Sequence, residues 1–158
     1  MTDFAALLKA LSEAQVRFIV VGGVAAAAHG VARLTVDLDI VYDRSPDNLD
    51  ALVKALGAEQ PYLRGAPPGL PFRFDTETLR RGLNFTLSSK LGDIDLLGEI
   101  TGGGGYAELL PHSITLRLYG IECHCLGLRR LIQVKRAAGR PKDLEAIAEL
   151  EALDEENG

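Results

Sequence analysis

No stretch of this 158-residue sequence stays apolar long enough to cross a bilayer. The longest nearly unbroken run, Phe18 to Ala28, contains two glycines and falls well short of the ~20 residues a spanning helix needs. The N-terminus lacks a basic segment followed by an apolar one and carries Asp3 and Glu13 instead, so no secretory signal and no membrane partner are expected. Cysteine is scarce. The two present, Cys123 and Cys125, lie one residue apart, and in an extended strand alternate side chains stand ~6.6 Å apart along the backbone, an awkward span for a mutual disulfide. A reducing, cytoplasmic setting is the expectation. Nor do Cys123-His124-Cys125 make a zinc site, because alternation sends His124 to the opposite face and no second ligand pair exists. An excess of positive charge is missing too: 17 Lys+Arg against 22 Asp+Glu leave a net charge of −5, which argues against wholesale binding of polyanions but leaves room for a local basic patch. The sequence has no internal repeat and no Walker loop; Gly102 to Gly105 has no following Lys-Ser/Thr and reads as a hinge or lid.

What remains is an ordinary globular composition, 47% hydrophobic and 25% charged, in a chain able to bury about two-thirds of its unfolded surface. One α+β domain is expected over residues 1–150, with 151–158 as an acidic, frayed tail. Phe4, Leu7, Leu8 and Leu11 form the stripe of a first helix capped by Thr2 or Asp3. Phe18 to Val21 reads as a buried strand ending at Gly22-Gly23, followed by a short alanine-rich helix over Val24 to His29. Thr35 to Tyr42 alternates, with Val36, Leu38, Ile40 and Tyr42 on one face and Thr35, Asp37, Asp39 and Val41 on the other. Ser45-Pro46-Asp47 opens a helix to about Leu56. Residues 58 to 71 hold four of the seven prolines and two glycines and read as a mobile loop. Hairpins follow over Leu83–Ser88 with Gly92–Leu97, and over Ile114–Leu118 with Ile121–Leu126, and two helices separated by Gly139 and Pro141 complete the chain.

Three features bear on chemistry. A strand that ends in Gly22-Gly23 and feeds a helix exposes backbone N–H groups where a phosphate can approach closely; many such pairs are simple turns. Asp37 and Asp39 stand two apart in an otherwise apolar strand, so their carboxylates share a face and repel. Mg²⁺, which favours carboxylates together with substrate phosphates, is one remedy. A solvated strand face paired with Arg33 or Arg44 is the plainer alternative. Asp93 and Asp95 repeat the spacing, and Asp95, between Ile94 and Leu96, is the better embedded of the two. A third carboxylate opposite the first pair would let one site hold two metals, as in phosphoryl-type transfer or in a nuclease. From Arg129 to Lys142 there are six basic residues and no acid, followed by seven acids from Asp143 onward; the segment suits a triphosphate or an RNA backbone, or equally a solvated helix face paired with those acids.

Val21-Gly22-Gly23, thirteen residues, Asp37-Leu38-Asp39-Ile40 and later Ile94-Asp95-Leu96 together resemble the signature of the nucleotidyltransferase superfamily. Arg33-Leu34-Thr35, Leu131-Ile132-Gln133-Val134-Lys135 and Arg140-Pro141-Lys142-Asp143 are similar to the minimal, AbiEii-like members, several of them toxins of toxin–antitoxin systems. The resemblance spans roughly residues 15 to 150. It implies a nucleotidyltransferase-like fold, a mixed twisted sheet with flanking helices and a C-terminal helical segment. It also implies an enzyme moving NMP from an NTP to a hydroxyl acceptor, an RNA or tRNA end or a protein side chain, with pyrophosphate released. By the same resemblance Asp37, Asp39 and Asp95 are catalytic and bind Mg²⁺ or Mn²⁺, Asp95 activating the acceptor, while Gly22, Gly23, Arg33, Thr35, Lys135 and Lys142 hold the nucleotide. An antitoxin or a second copy of the chain is the implied partner. A catalytically inactive nucleotide-binding or partner-binding protein of the same fold is the rival expectation. The short length leaves acceptor recognition without a dedicated domain.

Overall fold

The computed structural model describes residues 1–32 and 34–157. Helix α1 (Phe4–Glu13) is capped by Asp3, whose carboxylate accepts the Ala6 N–H at 3.0 Å, and it buries Leu7, Leu8 and Leu11. Strand β1 (Phe18–Val21) is buried throughout, and helix α2 follows it with no linker, running Gly22–Ala28. The helix begins on the glycine pair, not after it. Strand β2 (Asp37–Tyr42) and helix α3 (Pro46–Leu56) come next, then a 3₁₀ turn at Gly57–Glu59. Beyond lie β3 (Tyr62–Leu63), α4 (Thr76–Arg81), β4 (Asn84–Ser89), β5 (Gly92–Leu97), β6 (Glu99–Ile100), β7 (Gly104–Gly105) and α5 (Tyr106–Leu109). The chain ends with β8 (Ser113–Leu118), β9 (Ile121–Leu126), α6 (Leu128–Ala138) and α7 (Pro141–Asn157).

Seven strands form one mixed sheet in the order β3-β4-β5-β2-β1-β9-β8, with β2 parallel to β5, β1 parallel to β9 and the other neighbours antiparallel. The mixed sheet with flanking helices is the architecture anticipated from the sequence. The apolar alternation drives it: Leu38 and Ile40 of β2, Ile94 and Leu96 of β5 and Leu87 of β4 are fully buried, which leaves the intervening positions, acids among them, to the other face. The β8–β9 hairpin turns at Tyr119-Gly120, both with positive φ, the conformation whose twist suits a two-residue hairpin.

Asn48, 1% exposed, ties the start of β1 to the end of β2: its Oδ1 accepts the Arg17 N–H at 2.7 Å and its Nδ2 donates to the carbonyls of Asp43 (2.7 Å) and Arg17 (3.1 Å). His29 at the end of α2 reaches the Leu126 carbonyl through Nε2 at 2.8 Å.

Four local expectations change. Strand β2 starts at Asp37, and Val36, expected inside with Leu38, is 62% exposed. The reason is pairing: β1 ends opposite Asp39, so β2 continues toward its start on β5 alone, and at its first residue Thr2 intervenes, its Oγ1 donating to the Val36 carbonyl and accepting the Asp93 N–H at 3.1 Å. The proline-rich segment is not a plain loop, since β3 inside it pairs with β4 and closes the sheet edge. Gly102–Gly105 forms a turn and a short ribbon, β6 with β7, and a side chain at Gly102 would run into Ala137 of α6. Close packing, in place of a hinge, explains that glycine. The acidic C-terminus stays helical to Asn157, with Glu151 paired to Arg136 and Asp154 to Arg129 of α6.

Candidate active site

Pairing of β2 with β5 sets Asp37 opposite Asp93 and Asp39 opposite Asp95. Because the side-chain period of a strand is two, all four carboxylates rise from one face in two rows. One oxygen each from Asp37, Asp39 and Asp95 lies within 4.8 Å of the others, an all-oxygen donor set. Asp93 stands outside that grouping and accepts from Ser88 Oγ at 3.1 Å.

The cluster is electrostatically costly. Burial, then the charges of Asp37 and Asp95, push Asp39 up to about 8. Asp95 is also raised, burial outweighing the pull of Arg64. The buried Asp39 Oδ1 has no hydrogen-bond partner. An orphaned carboxylate oxygen beside two further carboxylates fits a hard divalent cation with oxygen preference, Mg²⁺ or Mn²⁺.

Sequence reasoning missed Arg64. Its position just after β3 carries its guanidinium across β4 to the acids: Nη2 donates to Asp95 Oδ1 (2.8 Å) and to the Leu87 carbonyl (2.6 Å), Nη1 lies 3.6 Å from Asp37 Oδ2, and Nε lies 3.5 Å from Asp93 Oδ2. Nothing in the proline-rich segment marks this arginine apart from its place after the apolar pair Tyr62-Leu63. Only the pairing of β3 with β4 aims it.

Gly22 opens α2 with φ +65°, and a Cβ there would overlap the Asp39 carboxylate; a Cβ on Gly23 would come 2.6 Å from Thr35 Oγ1. The glycine pair therefore lets Asp39 and Thr35 lie against the start of the helix. Thr35 itself donates to the Asp37 carbonyl at 3.2 Å, fixing the entry to β2. Arg33 lies outside the described residues.

A cavity of about 370 Å³ opens beside Asp39 and Gly22, between Val21 and Leu97 of the sheet and Leu131, Val134 and Lys135 of α6, with Arg140 and Asp143 at its rim. That volume is in the small-molecule range. Asp143, 1% exposed, is held by Arg140 Nε at 2.6 Å and Lys135 Nζ at 3.7 Å. Burial alone would raise its pKa, but hydrogen bonds from Arg140 and the two positive charges hold it below the usual carboxylate range. The basic segment is thus partly neutralised by the acids after it. Lys135 lines the cavity while paired to Asp143, and the charge of exposed Lys142, like that of Arg140, reaches Asp39. Cys123 and Cys125 are buried, free thiols outside the acidic cluster, with burial pushing Cys125 up to about 12. Among the described residues no helix is long and apolar enough to cross a membrane.

No protein-family model and no curated protein matches the sequence. The fold, however, is similar to that of a solved protein from Thermotoga maritima described as a "putative nucleotidyltransferase": the TM-score is 0.57 with 15% identity, covering 90% of this chain and 86% of that one. The chain has a nucleotidyltransferase-like fold.

Proposed function

We propose that the protein is a metal-dependent nucleotidyltransferase that moves a nucleoside monophosphate from an NTP to a hydroxyl acceptor. The observation that carries this reading is the convergence of Asp37, Asp39 and Asp95, of which Asp39 lines a small-molecule-sized cavity together with Lys135 and Arg140. Asp37, Asp39 and Asp95 would hold the metal, which when bound supplies Lewis-acid polarisation of phosphoryl oxygens and lowers the pKa of a bound hydroxyl. Asp95, with its raised pKa, is suited to take the acceptor's proton at a carboxylate oxygen. The acceptor oxygen then bonds to the α-phosphorus while the bond from that phosphorus to the β-phosphate bridging oxygen breaks, and pyrophosphate leaves. Lys135, Arg140 and Lys142 would balance triphosphate charge, with the backbone at Gly22-Gly23 and Thr35 shaping the phosphate side. An RNA or tRNA end or a protein hydroxyl is the acceptor in this reading, and the toxin role of an AbiEii-like protein, with an antitoxin or second copy as partner, belongs to it.

Incubation with divalent metal, NTPs labelled at the α- or the γ-phosphate, and RNA or protein tests this. Label from the α-position alone should reach the acceptor, and Asp37→Ala/Asp39→Ala should abolish it. Equal behaviour of wild type and the double variant across all four NTPs overturns the enzyme reading and leaves a binding protein of the same fold.

A further inference from the structure

Arg64 occupies the place that a metal centre needs. Its Nη2 bonds the Asp95 oxygen side of the cluster at 2.8 Å, and Nη1 sits 3.6 Å from Asp37, so two of the three carboxylates able to hold a divalent ion are already facing a guanidinium. The pairing is loose. Arginine binds a carboxylate best through two parallel hydrogen bonds, yet here Nε is buried without a hydrogen-bond acceptor and Nη1 lies beyond bonding range of Asp37. A single positive charge is spread over three acids. Asp93, which the metal-capable grouping leaves out, stands 3.5 Å from Nε. The arrangement therefore offers the guanidinium two seats, one on the metal-binding acids and one on Asp93.

We propose that Arg64 is a displaceable counter-cation: it holds the carboxylates of the metal-free protein in place, and a divalent cation drives it from Asp95 and Asp37 toward Asp93. The physical grounds are that a dication and a guanidinium on the same carboxylates repel, and that both draw on the same oxygen lone pairs. Arg64 is a positioning residue in this account, and Asp93 is its alternative partner, which gives the fourth acid of the face a function.

The inference rests on the reading of the acids as a metal centre, and Mn²⁺ titration by calorimetry or electron paramagnetic resonance separates the two. Arg64→Gln removes the competing charge and should bind Mn²⁺ at least ~5-fold more tightly than wild type, whereas Asp93→Asn removes the second seat and should bind it more weakly. The double variant should match Arg64→Gln, because without the guanidinium Asp93 has nothing to receive. In wild type the Arg64 Nε–H resonance should shift on addition of Mg²⁺. Unfolding midpoints identify any variant that fails to fold, in which case the resonance shift decides. Equal or weaker Mn²⁺ binding by folded Arg64→Gln overturns the role of Arg64 and leaves the metal centre standing. Absence of Mn²⁺ binding in wild type and Arg64→Gln alike overturns both.

Discussion

Asp39 concentrates the conflict in this site: a carboxylate in an apolar strand, half-buried, beside two others, with one buried oxygen left without a partner. Its native pKa of about 8 lies far above the 3.8 of an unfolded aspartate. Between those values the native state keeps a proton that the unfolded chain has lost, so the contribution of Asp39 to stability is greatest below pH 4 and is lost as pH rises toward 8. The melting temperature of metal-free protein should fall between pH 5 and pH 8.5, and Asp39→Asn should flatten the fall; an unchanged slope in the variant would refute the assignment. Metal must displace the same proton, so its affinity should rise over that window. Gly22 is the complementary case. Gly22→Ala would put a methyl group into the Asp39 carboxylate at a backbone with φ +65°, and should cost about 2 kcal/mol or more in urea unfolding.

At the scale of elements, the site is a junction of two strand ends, a helix start and a helix pair. The paired acids were legible because two-residue spacing within apolar strands forces a common face. The parallel register of β2 with β5 was not, since the two strands are separated in sequence by α3, β3, α4 and β4 and no local signal fixes their alignment. Arg64 escaped for the same reason: prolines and glycines mark a segment as irregular but say nothing of the two-residue strand that aims the next side chain. The basic segment read ambiguously, and its ambiguity was physical, as Lys135 and Arg140 both face the cavity and both hold Asp143. Asp143 is buried, whereas its closer partner Arg140 is largely exposed and can turn to solvent. Asp143→Ala should therefore destabilise the fold by about 1–3 kcal/mol, and amide exchange should quicken first in α7. Uniform exchange across the chain would argue that α7 is held by its apolar face alone.

For the molecule as a whole, the net charge of −5 does not describe what a ligand meets, because part of it is the acids gathered on one sheet face and part is spread along α7 and paired with α6. The α+β architecture followed from the alternation of the strands and the stripes of α1 and α3. The short second row of acids and the glycine pair then gave the superfamily resemblance its residues. A ligand that binds only the folded state stabilises it by mass action, so Mn²⁺ at about 100 times its dissociation constant should add roughly 2.7 kcal/mol, several degrees for a chain of this size. Asp39→Asn should lose that gain, and Ca²⁺, larger and less exacting in geometry, should give less.

The proposed nucleotide transfer would explain why these carboxylates are kept at a cost in stability. One variant measured two ways tests it most directly: Asp39→Asn assayed for transfer of α-phosphate label in Mg²⁺ and for its metal-free melting temperature at pH 8. Label transfer should fall by about 100-fold or more while the melting temperature rises, because the substitution removes both a metal ligand and a buried, repelled charge. Undiminished transfer by the variant would contradict the account.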